Sequence, residues 1–188
     1  MSYLDHLLRV AFFVTPLTNA TAVYATVGVG ASLVIWWPLV RWTGWARIPT
    51  LLALLSLAAT LALSLAPNGA APREGLRACI LGAPRLLQAQ LFSITTSPEA
   101  LLNTVMLIPL GLFAVLAVRR VWPVALFILL LPTVVELSQT RIDGRYCSGI
   151  DYVTNIIGGL VGVVLGTLIL VSWRWLGPVQ SPGKPAVP

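Results

Sequence analysis

The sequence has little of what soluble proteins use to face water, and little of what many enzymes use for chemistry. Only 10% of its 188 residues are charged while 57% are hydrophobic, too apolar for a soluble domain with an ordinary surface. There is one histidine, His6, and two cysteines, Cys79 and Cys147, which stand far apart and form no Cys/His cluster. That argues against a zinc site, and neither a metal nor a cofactor is expected. Gly-x-Ser-x-Gly and P-loop glycine patterns are missing too, so the corresponding acyl-transfer and nucleotide chemistries find no support. No segment alternates apolar and polar residues over about 10 positions, which argues against an outer-membrane barrel. The net charge is +6, but the twelve Lys and Arg residues flank apolar runs and form no stripe, so nucleic acid is not an expected partner.

What the chain has in quantity is long apolar sequence. Runs at 21–40, 49–66, 100–118, 121–139 and 155–173 are each near the roughly 20 residues that a bilayer-spanning helix needs. Backbone groups in lipid must be satisfied within their own segment, so such runs predict helices. The expected fold is an all-α polytopic membrane protein with five transmembrane helices. Residues 1–20 read as a lead-in broken at Pro16; its "VAFFVTPLTNATA" looks like a secretory apolar region. Asp5 and His6 precede it and another apolar run follows, so it is expected to remain in the mature protein. Helices 1 and 2 occupy 21–66, with Pro38, Gly44 and Pro49 punctuating their junction. Residues 67–99, rich in Pro, Gly and Ala, are expected to form an extracytoplasmic loop. Ser97 and Pro98 suit the N-cap and first position of helix 3, which opens a three-helix core over 100–175. The Pro-rich stretch 176–188 reads as a disordered tail. No internal repeat supports an inverted-repeat transporter.

Five spans put the helix 1–2 connection, the helix 3–4 connection and the C-terminus on one side. Trp36, Trp37, Trp42, Trp45, Trp122, Trp173 and Trp175 all fall there, whereas Tyr3, Tyr24, Tyr146 and Tyr152 fall at the opposite ends. Adding or removing one span in the middle would scramble this sorting of interfacial aromatics. Basic residues divide evenly between the sides, but those of the Trp side, Arg41, Arg47, Arg119, Arg120, Arg174 and Lys184, sit close to span ends. The positive-inside rule then predicts a cytoplasmic Trp side, with the N-terminus outside and the C-terminus inside. Cys79 and Cys147 share the other face. An oxidising exterior would let them pair as a disulfide, and two unrelated free thiols are the alternative.

Polar side chains concentrate at that same face. Asn103 lies about 6 residues, or roughly 9 Å, inside helix 3. Glu136 and Gln139 share a face at the end of helix 4, and Asp151 and Asn155 share one at the start of helix 5. Such groups are costly in hydrocarbon unless paired or wet, so they are expected to turn toward one another, with Arg141 and Arg145 as counter-ions. Gly158, Gly162 and Gly166 recur every four residues and predict a close helix contact. Pro109 and Pro132 predict kinks.

Taken in order, these landmarks resemble the VanZ-like membrane proteins over about Ala100 to Val171. Asn103 with "IPLG" is similar to the family's Asn and Pro-x-Gly helix, and Glu136 with Gln139 to its Glu-x-x-Gln. "GRYCSGIDYVTN", which supplies Arg145, Asp151 and Asn155, is similar to the family's Gly-Arg…Asp-x-x-x-Asn turn; Gly158 and Gly162 match the glycines that follow. The resemblance implies a cell-envelope role, with the family's named member linked to teicoplanin resistance. Relatives often carry a further aspartate three residues before the Asp151 position, and here Ser148 stands there. Paired carboxylates on this turn are therefore not implied.

Three readings of the cluster stay open. Asn103, Glu136, Gln139, Arg145, Asp151 and Asn155 could form a network that fixes helix packing. They could line an outward-facing pocket for a polar, lipid-linked or phosphate-bearing envelope ligand, with the arginines as anion anchors. Or Glu136 could serve as general acid or base in a membrane enzyme acting on such a ligand, with Arg145 as an electrophilic anchor. A membrane lipid or lipid-linked envelope precursor is the expected partner.

Overall fold

A computed structural model of the chain describes residues 19–67, 98–145 and 148–175. Five helices make up these segments: α1 (Asn19–Thr43), α2 (Arg47–Leu65), α3 (Pro98–Val118), α4 (Val121–Gln139) and α5 (Gly149–Trp175). All five are long and apolar enough to cross a bilayer, and no strand occurs among the described residues. The protein is an all-helical, multi-pass membrane protein. The expected lead-in up to residue 18, the 67–99 loop apart from Pro67 and the first residues of α3, Ser97 and the 176–188 tail lie outside the described residues, as do Cys79 and Cys147; Asn19 and Ala20, read as the end of the lead-in, open α1 instead. No disulfide is present among the described residues.

Helix ends follow the apolar runs closely except at two places. α1 continues through Pro38 to Thr43 instead of stopping at 40. α5 opens at Gly149, six residues ahead of the apolar run at 155, because local capping chemistry rather than hydrophobicity sets its start. Hydroxyls inside the helices are satisfied by the preceding turn, as in Thr26 to Ala22 O (2.8 Å), Thr60 to Ser56 O (2.9 Å) and Thr167 to Val163 O (2.7 Å). Back-bonding of this kind lets Ser and Thr reside in hydrocarbon without another partner.

The centre of the bundle is the α3–α5 pair. A methyl group at Gly158 would overlap the Thr104 carbonyl oxygen, and one at Gly162 would overlap the Ile108 carbonyl oxygen. At Gly166 it would come within 2.8 Å of the Leu112 carbonyl oxygen. Glycines four apart on α5 thus meet carbonyls four apart on α3 in the same order, so the two helices run parallel with their backbones in contact. Gly111 of α3 completes the seam against the Gly159 carbonyl. On its other side, Gly159 faces Ile128 of α4, which is fully buried with Leu110, Val115, Val124 and Val163 in the apolar core. α2 packs between α1 and α3. α1 is peripheral, docked on α2 through Gly28 against Ala58 and through the Ser32 hydroxyl, which donates to Leu54 O at 3.2 Å.

Cross-helix bonds tie both ends of the bundle. At the Trp end, the Ala46 N–H donates to the Ala117 carbonyl (3.2 Å), and the Trp36 indole donates to Arg47 O (2.7 Å). The α1–α2 and α3–α4 connections therefore lie together, and parallel α3–α5 pairing brings the C-terminal end of α5 to the same side. The polar residues collect at the opposite end.

Candidate functional site at the polar end of the bundle

The α4–α5 connection is a short turned segment. Arg141 and Ile142 N–H groups close the end of α4 on Ser138 O and Gln139 O, and the Arg145 N–H returns to Ile142 O (3.3 Å). Gly144 takes φ +75° at the third position of that last turn, where a side chain would be strained. This geometry swings Arg145 away from water and toward α2. Arg141 and Asp143 are exposed.

α5 then starts with a cap built from two helices. The Ser148 hydroxyl accepts the Asp151 N–H at 3.2 Å, the bond of an N-cap side chain to the third residue of its helix. The Ser148 N–H is in turn donated to Glu136 Oε2 of α4, at 2.9 Å. A buried carboxylate of α4 thereby sits at the positive end of α5. The cap also accounts for the departure at Ser148: a position that caps a helix N-terminus accepts serine or aspartate about equally well.

Gln139 and Arg145 both reach α2. The Gln139 amide donates to Ser64 O at 3.1 Å, and Arg145 donates Nε–H to Ala66 O (2.8 Å) and Nη2–H to Leu63 O. α2 has no basic residue in its last turn, and these donors satisfy carbonyls that a helix end leaves open. The sequence reading assigned the cluster to helices 3, 4 and 5 and gave Arg145 the part of counter-ion or anion anchor. The structure adds the C-terminus of α2, to whose carbonyls two guanidinium donors of Arg145 are directed. Burial lowers the pKa of Arg145, while the Asp151 carboxylate acts in the opposite sense; the side chain stays a cation. Asp151 also acts electrostatically on Glu136, so its charge is felt by both the acid and the base of the site.

Two oxygens are left over. Glu136 Oε1 and Asn155 Oδ1 are buried and accept no hydrogen bond among the described residues, although each residue is only 5% exposed. Buried acceptors of this kind are uncommon, because they forfeit hydration without replacement. Asn103 is half-buried and makes no side-chain hydrogen bond among the described residues. The α3–α5 register, with Thr104 against Gly158, brings Asn103 and Asn155 to within about 3 Å in depth at 1.5 Å per residue. The site therefore lies where α2, α4 and α5 meet, with α3 alongside.

Sequence reasoning missed Leu63, Ser64 and Ala66, which contribute main-chain oxygens and leave no side-chain signature. The available signal was an α2 terminus lacking both a basic last turn and a glycine cap.

A family model described as VanZ/LLP1 matches residues 50–170. The match begins inside α2, earlier than the resemblance read from Ala100 onward, and so contains the helix that receives Gln139 and Arg145. No curated protein and no solved structure matches the chain.

Proposed function

This chain belongs to the VanZ/LLP1 family, and on that premise we propose that it is a cell-envelope protein whose polar end binds a ligand rich in hydrogen-bond donors. The reading rests on one observation: Glu136 Oε1 and Asn155 Oδ1, on adjacent helices, are buried acceptors without donors. A ligand hydroxyl, amine or amide N–H is the complement of such a pair. Lipid-linked envelope precursors carry sugar hydroxyls and amides and reach this depth from the bilayer. The orientation of the positive-inside rule puts the site at the outer face, where such precursors and glycopeptides are met, and teicoplanin tolerance would be one consequence of binding there.

Because Arg145 is engaged by α2, recognition of the ligand falls to acceptors rather than to an arginine anion anchor. The enzymatic alternative uses the same open oxygen, with Glu136 Oε1 as the acid or base and a phosphate-bearing or lipid-linked substrate as its target.

Native mass spectrometry of the purified protein with a polyprenyl-diphosphate-linked aminosugar precursor tests the reading. Binding that Asn155→Leu weakens at least tenfold, with the fold intact, supports it. Equal retention by wild type and variant overturns it. Expressing both forms in a teicoplanin-sensitive host tests the resistance arm, and turnover of the precursor by wild type but not by Glu136→Gln would favour the enzyme.

A further inference from the structure

The Trp end holds a second feature, independent of the polar site. Between α2, α3 and α4 runs an almost wholly apolar groove of about 290 Å³, lined by Trp45, Leu54, Leu57, Leu110, Ala114 and Phe127 among others. Its floor is no ordinary lipid-facing surface, since Leu110 is buried and belongs to the core of the bundle. α4 packs more on α5 than on either α2 or α3, and the groove lies where it packs only lightly on those two. Its size falls near the low end of the roughly 300–1,000 Å³ usual for ligand pockets, enough for a length of hydrocarbon chain but not for a whole lipid.

Arginines flank this groove along the sequence. Leu39, Trp45, Val118 and Pro123 are among its lining residues. Arg41 and Arg47 stand two positions beyond Leu39 and Trp45, and Arg119 and Arg120 fill the connection between Val118 and α4. All four are exposed, and Arg47 stacks on Trp37 with its guanidinium carbon 5.5 Å from the ring centre. Arg119 caps α3 with φ +57°, a left-handed conformation that glycine or asparagine takes more readily. An arginine there therefore keeps its charge at the expense of backbone ease.

The acids lie elsewhere along the sequence. Asp5 precedes α1, Glu74 lies between α2 and α3, Glu99 opens α3, and Glu136, Asp143 and Asp151 surround the α4–α5 turn. The four in the described segments, Glu99, Glu136, Asp143 and Asp151, belong to the polar end, so among the described residues the Trp end carries basic residues only. That combination selects a ligand with a hydrocarbon tail and an anionic head at interfacial depth.

We propose that the Trp end binds an anionic glycerophospholipid, one acyl chain entering the groove between α2, α3 and α4 and the phosphate facing Arg41, Arg47, Arg119 and Arg120. The site is separate from the polar end, so either one can fail without the other.

The full chain, purified in detergent, is titrated with phosphatidylglycerol and phosphatidylcholine of identical acyl chains, and retained lipid is counted by native mass spectrometry. Wild type should retain phosphatidylglycerol about tenfold more strongly. The double variant Arg119→Gln/Arg120→Gln should bring this preference down toward equality, and Ala114→Phe, which fills the groove, should reduce retention of both lipids. Equal retention by wild type, or wild-type retention in the folded groove-filled variant, overturns the proposal in favour of surrounding lipid or of a segment of this chain as occupant. Should Ala114→Phe fail to fold, phosphatidylglycerol with brominated chains decides. It must quench the part of the wild-type fluorescence that Trp45→Phe removes, and absence of that quenching overturns the proposal.

Discussion

Glu136 Oε2 on α4 accepts the backbone N–H of Ser148, the residue that caps α5, at 2.9 Å. This bond fixes where α5 begins relative to where α4 ends, and it needs an acceptor at that atom but not a negative charge. The amide of Glu136→Gln supplies such an acceptor, so its stability in detergent should stay within about 1 kcal/mol of wild type. Glu136→Ala leaves the Ser148 N–H unpaired in a buried site and should cost about 1–3 kcal/mol. Thermal midpoints followed by size-exclusion chromatography compare the two. Equal damage from both variants would mean that the charge itself is required.

The hydroxyl of Ser148 can be tested separately from its N–H. Ser148→Ala removes the acceptor for the Asp151 N–H and should destabilise by about 1 kcal/mol, while Ser148→Asn, also a good N-cap, should recover most of the loss. If alanine proves neutral, α5 is held in place by its glycine seam and Glu136 alone.

Arg145 connects the α4–α5 turn to a helix about 80 residues earlier in the chain, through Ala66 O and Leu63 O. A lysine carries the charge but cannot reproduce a planar fork reaching two carbonyls. Arg145→Ala should expose the end of α2, speeding amide exchange over residues 62–66 and lowering stability by roughly 1.5–3 kcal/mol for each lost charged hydrogen bond. Arg145→Lys should fall between alanine and wild type. Unchanged exchange at the α2 terminus in the alanine variant would remove Arg145 from its capping role.

What the sequence could and could not disclose follows from this arrangement. Spans were legible because hydrocarbon demands about 20 apolar residues per helix, and α4 came out at the residues expected. The start of α5 was not, since Gly149, Ile150 and Asp151 are helical behind the Ser148 cap, which hydropathy does not register. Glu136, Gln139, Arg145, Asp151 and Asn155 were recognisable as a group, because ionisable and amide side chains stand out in apolar surroundings. Their partners were hidden: Ser64, Leu63 and Ala66 act through carbonyls that any residue carries. Spacing likewise announced Gly158, Gly162 and Gly166, but their partners Thr104, Ile108 and Leu112 carry ordinary side chains, and only the fold identifies them.

The glycine seam gives a prediction with a built-in control. At Gly158 an added methyl meets the Thr104 carbonyl, backbone that cannot turn aside, so Gly158→Ala should separate α3 from α5 and destabilise by more than about 3 kcal/mol. At Gly30, on exposed α1, an added methyl has nothing within 4 Å, so Gly30→Ala should be neutral or stabilising by up to about 1 kcal/mol. Unfolding midpoints of the two variants in one detergent make the comparison. If Gly158→Ala is also neutral, the α3–α5 contact is looser than the backbone register requires.

Orientation is the last matter on which function turns. Arg41, Arg47, Arg119 and Arg120 lie at span ends on the Trp side, where basic residues act most strongly on topology, whereas Arg73, Arg77 and Arg85 belong to the long 67–99 stretch, where they count less. A fluorescent protein that matures only in the cytoplasm, fused after Pro188, should therefore fluoresce, and a phosphatase active only outside should remain silent there. Replacing Arg119 and Arg120 by Ala should weaken this bias and leave part of the population inverted. The opposite reporter pattern in the wild type would turn the Glu136 and Asn155 oxygens toward the cytoplasm. The site would then keep its geometry, and the proposed binding of an extracytoplasmic ligand would fall.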